Sequence, residues 1–253
     1  MTSINVIITH TNERHNLEKC LKSIKELGDG IILIDYVNSP KAHEFCRSHE
    51  IKYLKNEASH INSSFRELNN KGTDAYILLI GSNEYLSGNL NINLTKHKSN
   101  LKSDVYRFII RKNYYGRWMK HSGLYPNWES RLFKIKKLNW TGNTIKLKPS
   151  SRTNATYETL TSEIYSMIYS SISNHIDQVN IATETEAERL LVLGSKTDAL
   201  KIMFKPLAHF LELFFVKLGF LDGFYGLVNA VISAYSHFLV QVKLKYLRKM
   251  KEF

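Results

Sequence analysis

Residues 4–9, Ile4-Asn5-Val6-Ile7-Ile8-Thr9, run into the polar turn His10-Thr11-Asn12-Glu13. The run is almost continuously apolar and rich in β-branched side chains, the composition of a strand buried on both faces in a parallel sheet. Beyond the turn, Leu17, Cys20, Leu21 and Ile24 are spaced like the inward stripe of a helix. Gly30-Ile31-Ile32-Leu33-Ile34-Asp35 repeats the strand, and 41–48 reads as the next helix. Ile51–Leu54 reads as a short strand, 62–71 as a polar helix and Tyr76–Ile80 as another buried strand. This alternation predicts an α/β fold, Rossmann-like, with a mostly parallel sheet flanked by helices. Ligands in such sheets sit beyond the carboxyl ends of the strands, so Thr9–Glu13, Asp35–Ser39 and Gly81–Glu84 should converge on a site.

With 253 residues, 43% of them hydrophobic, the chain can bury the core of one α/β domain and carry a smaller appended unit. Cys20 and Cys46 stand alone, with no Cys-x-x-Cys pair and no His cluster at metal-ligand spacing, so neither a disulfide framework nor a zinc site is indicated. No Gly-x-Gly-x-x-Gly or Gly-x4-Gly-Lys-Ser/Thr element is present. The first residues lack a basic leader region, and the expected location is cytoplasmic.

The net charge of +12 is concentrated rather than spread. Residues 96–152 hold 15 Lys and Arg against two acidic residues, whereas 153–200 are net acidic. Tyr106, Phe108, Tyr114, Tyr115, Trp118, Tyr125, Trp128 and Trp140 are interleaved with those cations. Such a segment attracts a polyanion: nucleic acid, a phosphorylated glycan or an anionic membrane surface. No recognisable nucleic-acid motif accompanies it, and no nucleic-acid partner is expected.

Asp104–Ile110 is strand-like, Arg111–Asn127 a loop and Trp128–Phe133 a further strand, while the chain from about residue 156 reads as helical. Near the end, Gly223–Val242 is a 20-residue uncharged run. Asn229, Ser233, His237, Gln241, Lys245 and Lys249 recur every four residues through and past it, the pattern of an amphipathic helix rather than a spanning one. A helix pair lying on or beside the inner face of the membrane is expected from this C-terminal extension, a purely internal helical cap being the alternative.

Four stretches together resemble family 2 glycosyltransferases of the GT-A fold, in particular the lipopolysaccharide-core β-1,4-glucosyltransferase-like branch. They are Val6–Ile24 with its Asn12-Glu13 turn; Ile31–Asp35; Arg111–Phe133, which contains Tyr125-Pro126-Asn127-Trp128-Glu129-Ser130-Arg131; and Lys205-Pro206 with Gly219-Phe220-Leu221-Asp222-Gly223. The first two are common to many nucleotide-sugar folds, and the last two are sharper. The resemblance implies a nucleotide-sugar-binding half over 1–95, a basic acceptor-binding half over 96–155 and a helical membrane-associating region over 156–253. It implies sugar transfer from a nucleotide-sugar donor to a membrane-associated glycolipid or phosphorylated glycan, with an inverting outcome.

Residue by residue, the resemblance places Asn12, Glu13, Asp35, Ser82, Asn83 and Glu84 at the donor. It places Arg111, Arg117, Tyr125, Asn127, Trp128 and Arg131 at the acceptor, and Glu129 as the general base that takes the acceptor hydroxyl proton. A strand-end carboxylate such as Asp35 suits ribose hydroxyls, whereas Asn12-Glu13 would equally well cap the first helix. Relatives carry Asp-x-Asp where this chain has Gly81-Ser82-Asn83, and its carboxylates hold Mg²⁺ or Mn²⁺. Asn83 and Glu84 are the metal ligands that remain at that turn, and neither restores the lost pair of carboxylates. Relatives also have Asp at position 127 and Gln at 129, so the acid is displaced by two residues, which in a strand keeps the same face. The alternative for Glu129 is an ion pair with Arg131 or Arg117. Trp140-Thr141-Gly142-Asn143-Thr144-Ile145-Lys146 lacks the His-Glu pair usual there. A catalytically inactive binding or assembly protein is the competing function.

Overall fold

The structure, a computed structural model, describes residues 2–11, 16–57, 75–139, 148–149, 155–169, 171–195 and 197–251. In chain order its elements are β1 (Ser3–His10), α1 (Leu17–Ile24), β2 (Gly30–Asp35), α2 (Pro40–Ser48), β3 (Lys52–Lys55), β4 (Ala75–Gly81), β5 (Glu84–Leu86), α3 (Gly88–His97) and β6 (Val105–Tyr114). They continue with β7 (Arg117–Trp118), β8 (Trp128–Lys134), β9 (Leu138–Asn139), β10 (Lys148–Pro149), β11 (Tyr157–Tyr169), α4 (Ile172–Val192), α5 (Ala199–Leu211) and α6 (Phe224–Lys251). The resemblance divides the chain at residues 95 and 155. Contacts instead group Met1–Ile110 with Trp128–Ser166, and Arg111–Asn127 with Met167–Phe253.

In the first unit the strands follow the order β3-β2-β1-β4-β8-β6-β11-β5. The pairs β3-β2, β2-β1 and β1-β4 are parallel, and β4-β8, β8-β6 and β11-β5 are antiparallel. The expected α/β class is therefore found, with the parallel part built from the first four strands. Successive side chains of β1 point to opposite faces: Ile4, Val6 and Ile8 join one apolar cluster and Ile7 the other. β4 divides the same way, Tyr76, Leu78 and Ile80 against Ile77 and Leu79. Leu17, Cys20, Leu21 and Ile24 of α1 and Leu90 and Leu94 of α3 pack into the first cluster. Both faces of the central strands are thus dry, which is why their sequences are unbroken apolar runs.

Local signals set the helix starts. Asn16 Oδ1 accepts from Lys19 N at 3.1 Å and caps α1, the role left open for Asn12-Glu13. Ser39 caps α2 with Pro40 in its first turn, and Ser87 caps α3. Asn12, Glu13, the 62–71 helix and Trp140–Lys146 lie outside the described residues. One expectation is corrected: 157–169 is strand β11, not helix. Its Tyr, Thr and Ile content favours an extended chain, and pairing with β5 overrides the helical reading of its surroundings.

In the second unit, β7 folds back on the end of β6 through Tyr115 and Gly116, both with positive φ, which is the geometry of a tight hairpin turn. The rest of the 111–127 segment is held by the C-terminal region. Asp222 Oδ2 accepts from His121 N at 2.8 Å, its two oxygens lie 3.3 and 3.4 Å from Lys120 N, and Ser122 N donates to Lys217 O at 2.9 Å. Gly219 and Gly226 touch backbone to backbone: a Cβ on Gly226 would collide with the Gly219 carbonyl. The Gly219–Gly223 motif is therefore a docking device for this loop. Buried His175 has Nδ1 2.9 Å from Tyr115 Oη and 3.1 Å from Tyr114 Oη, with the Tyr169 ring stacked on it at 3.6 Å. Burial pulls its pKa down from 6.5 to about 4.

Gly226→Ala is expected to unfold this unit, seen as loss of cooperative melting by circular dichroism. A second outcome follows from His175. Its folded pKa lies below its unfolded value, so the unfolded chain binds the proton more readily between the two. Stability contributed by the neutral imidazole is complete above about pH 6.5 and is lost as pH falls toward 4; urea midpoints measured across that window should decline, and His175→Gln should flatten the decline.

Candidate functional site

The parallel strands deliver their carboxyl ends to one edge, as the sequence predicts. Thr9 is in register with Ile34 and Gly81, and His10 with Asp35. Ser82 N donates to Thr9 O at 2.9 Å, and Ser82 Oγ lies 3.1 Å from Nδ1 of buried His10. The turn after β4 is consequently fastened to the end of β1. His10 was not picked out by sequence reasoning, although an imidazole closing an apolar strand is a visible anomaly.

Asp35 is completely buried at the end of β2. Its Oδ1 accepts from Val37 N at 2.9 Å, and its Oδ2 accepts from Ser39 N at 2.7 Å and from Tyr53 Oη at 2.9 Å. Burial and the Asp35 carboxylate push the Tyr53 phenol up to about 12, so Tyr53 remains a donor to Asp35 at neutral pH. Beside them opens a cleft of about 530 Å³ lined by Asn38, Ser39, Pro40, His43, Tyr53 and Lys55, among others. A ring entering it would meet the edge-to-face pair His43–Tyr53, whose centroids are 4.8 Å apart. Tyr53 carries no motif signal; only the parallel pairing of β2 with β3 brings it to Asp35.

Arg131 of β8 organises the turn at Gly81–Glu84. Glu84 is almost fully buried; its Oε2 accepts from Gly81 N at 2.8 Å and its Oε1 receives Arg131 Nη2 at 2.8 Å. The same Nη2 stands 2.8 Å from Glu129 Oε2, so one guanidinium is held between two carboxylates. Asn83 Nδ2 reaches Ser166 Oγ of β11 at 3.4 Å. A Cβ on Gly81 would sit 2.6 Å from Asn83 Oδ1, so the turn as folded leaves no room for a side chain at 81 unless Asn83 moves.

Three sequence expectations are modified by this geometry. Asn83 and Glu84 do not form a metal site in this arrangement: Asn83 offers a neutral amide, and both oxygens of Glu84 are already engaged. Among the described residues no group of three His, Cys, Asp or Glu could hold a metal ion. Glu129 is paired with Arg131, as its bland alternative held, yet its side chain keeps 39% exposure and reaches solvent. Finally, β8 begins at Trp128, so Asn127 lies outside the strand and the same-face argument linking it to Glu129 does not apply.

The residues expected at the acceptor divide between the units. Trp128, Glu129 and Arg131 belong to the first, where Glu129 and Arg131 join Glu84. Arg111, Arg117, Tyr125 and Asn127 belong to the second. There the Arg111 guanidinium lies 5.9 Å from the Trp118 ring and 5.8 Å from Tyr125, and Arg117 lies 5.6 Å from Tyr225. These cations rest on aromatic faces, a cation–π arrangement.

No family model matches the chain. It is similar to an uncharacterized glycosyltransferase of Rickettsia bellii, with 24% identity over 257 residues that cover 96% of this chain and 86% of the relative. Among solved structures, it is similar to residues 1–349 of S. aureus TarS in complex with UDP-GlcNAc, at 10% identity and TM-score 0.45, covering 98% of this chain and 92% of that one. It is also similar to glucosyl-3-phosphoglycerate synthase of Mycobacterium tuberculosis in complex with Mn²⁺, UDP and glucosyl-3-phosphoglycerate. There identity is 11% and TM-score 0.46, covering 78% of this chain and 82% of that one. At these TM-scores neither structure assigns a substrate to this chain.

Removing the central cation isolates a buried carboxylate. Arg131→Ala is expected to cost about 3–5 kcal/mol in urea denaturation, the range for breaking one side of a buried pair. Adding Glu84→Gln in the same chain should recover part of that loss, because the stranded charge is gone.

Proposed function

We propose that this chain is a glycosyltransferase that moves a sugar from a nucleotide-sugar donor to the hydroxyl of a membrane-associated acceptor, a glycolipid or phosphorylated glycan of the lipopolysaccharide-core type. The observation that carries the reading is the convergence of Asp35, its cleft and the Glu84–Arg131–Glu129 cluster on the carboxyl edge of a parallel sheet. The Rickettsia bellii relative, an uncharacterized glycosyltransferase, supports the glycosyltransferase part of this reading along nearly the whole chain.

The cleft of Asn38, His43 and Tyr53 accepts the nucleoside, whose base packs against the aromatic edge, and Asp35 behind it takes part by holding Tyr53 and the Val37–Ser39 turn in place. Glu129, half in solvent, accepts the proton of the acceptor hydroxyl as its oxygen attacks the anomeric carbon. The bond from that carbon to the donor diphosphate breaks with inversion, and the nucleoside diphosphate departs with the electron pair. Arg131 holds Glu129 in place and supplies at the turn the positive charge that two aspartates would otherwise recruit as a metal ion. The competing reading, a glycosyltransferase-like binding protein without activity, is favoured by Glu129 being held in an ion pair and by Gly81 and Asn83 at the turn.

Purified protein incubated with a panel of nucleotide sugars should release nucleoside diphosphate, at a rate unchanged by EDTA. Glu129→Gln should lower that rate by about 10²-fold or more, the usual contribution of a general base. Binding of UDP without turnover across the panel, with or without Mn²⁺, would support the inactive reading instead.

A further inference from the structure

The C-terminal helices carry their polarity inside out. On α6 the outward positions are Phe224, Leu227, Val231, Tyr235, Phe238, Val242, Tyr246 and Met250, an uninterrupted helical stripe of exposed apolar side chains. Three of its polar positions, Asn229, Gln241 and Lys243, face inward. Asn229 and Gln241 are buried, Gln241 Oε1 accepts from Thr197 Oγ1 at 2.8 Å, and Lys243 Nζ donates to Asn180 O and Thr183 Oγ1 at 2.8 and 3.0 Å. Of the stripe read from sequence, Asn229 and Gln241 therefore mark the interior seam of the bundle, whereas His237, Lys245 and Lys249 are exposed. Gln241 and Lys243 are hydrogen-bonded on the inner side, so the outward apolar stripe goes with a helix whose inward polar groups have partners.

Helix α5 extends the same face. None of its thirteen residues is buried, and Leu200, Met203, Phe204, Leu207 and Leu211 are exposed. A groove of about 480 Å³, lined by Met203, Pro206, Leu207, Phe210, Tyr235 and Phe238 among others, joins the two helices into one apolar surface with almost no polar lining. Exposed apolar area of this extent on a water-soluble surface calls for an occupant. Two features identify it. Exposed Lys201, Lys205, Lys245 and Lys249 flank the apolar stripe, and residues 201–253 hold eight Lys and Arg against three acidic residues. On α4, exposed Asp177, Glu184, Glu188 and Arg189 are interspersed with exposed Ile172, Ile176, Ile181 and Val192, so that side carries charge that breaks up its apolar surface.

We propose that the α5–α6 face inserts into the acyl layer of an anionic bilayer leaflet, with the hairpin lying along the membrane and its flanking lysines at the headgroups. Phe224–Met250 has the length and the mean hydropathy, 1.2, of a spanning helix. It lies in the plane instead because its inner side is a polar seam against α4, whose opposite side carries charge. The inference adds to the acceptor part of the proposed function the element that meets the lipid, and its test does not depend on sugar transfer.

The test is flotation of the full chain with vesicles of phosphatidylcholine alone and with vesicles containing about one third phosphatidylglycerol. Wild type is expected to float with the anionic vesicles, and Phe204→Glu/Phe238→Glu, both at exposed positions, to lose at least about tenfold of that binding with an unchanged melting curve. Because Cys20 and Cys46 are buried, Leu207→Cys can be labelled with an environment-sensitive dye, and its emission should shift to that of an apolar medium on anionic vesicles. Failure of wild type to float, or binding unaffected by the double substitution, would overturn the proposal. So would a concentration-dependent dimer that Phe204→Glu/Phe238→Glu dissociates, which would assign the face to a second copy of the chain. Flotation without any nucleotide-sugar turnover would retain this inference and count against sugar transfer alone.

Discussion

Burial of both faces of β1 and β4 is the constraint on which the first unit rests. Ile4, Val6 and Ile8 on one side of β1 and Ile7 on the other leave no edge of that strand for polar chemistry. Apart from Asn5, the buried polar groups of these strands stand where the strands stop. His10, Asp35, Ser82 and Glu84 are all buried at those stops, and each is engaged by a named partner within the sheet edge. The low-dielectric core makes those partnerships obligatory, since an unpaired polar group there costs more than the hydrogen bond gains.

The turn at Gly81–Glu84 illustrates how a buried acid is compensated locally. Glu84 is the acid of the turn, and it is too buried to stand alone. Arg131 arrives from β8, the antiparallel neighbour of β4, and carries Glu129 with it. The guanidinium thus occupies the electrostatic position between carboxylates that a divalent cation takes in a metal-dependent site. Its planar, permanently charged head makes it suited to that place.

In the second unit the same logic runs in reverse. The bundle buries Asn229 and Gln241 in its seam and turns an apolar stripe of α6 outward, the arrangement from which we propose a bilayer as its neighbour. The 111–127 loop is fixed to this bundle by Asp222 and by the Gly219–Gly226 contact. Arg111 and Arg117, read from sequence as acceptor-binding, therefore share a compact unit with the apolar hairpin.

The sequence by itself determined the α/β class, the first four strands and the convergence of their ends, because burial on both faces writes an unmistakable apolar run and parallel order then fixes where the ends meet. It determined the periodicity of α6 but not which side faces in. It missed β11, whose extended form comes from pairing with β5, and it missed His10 and Tyr53, whose roles arise from partners 72 and 18 residues away. Tertiary structure alone decided that Glu129 shares a guanidinium with Glu84, that Asp35 takes a hydrogen bond from Tyr53 of the neighbouring strand, and that Gln241 of α6 is buried against Thr197. Each of these is a contact between residues distant in sequence, and spacing along one chain carries no information about the distance between two such side chains until the sheet and the bundle close.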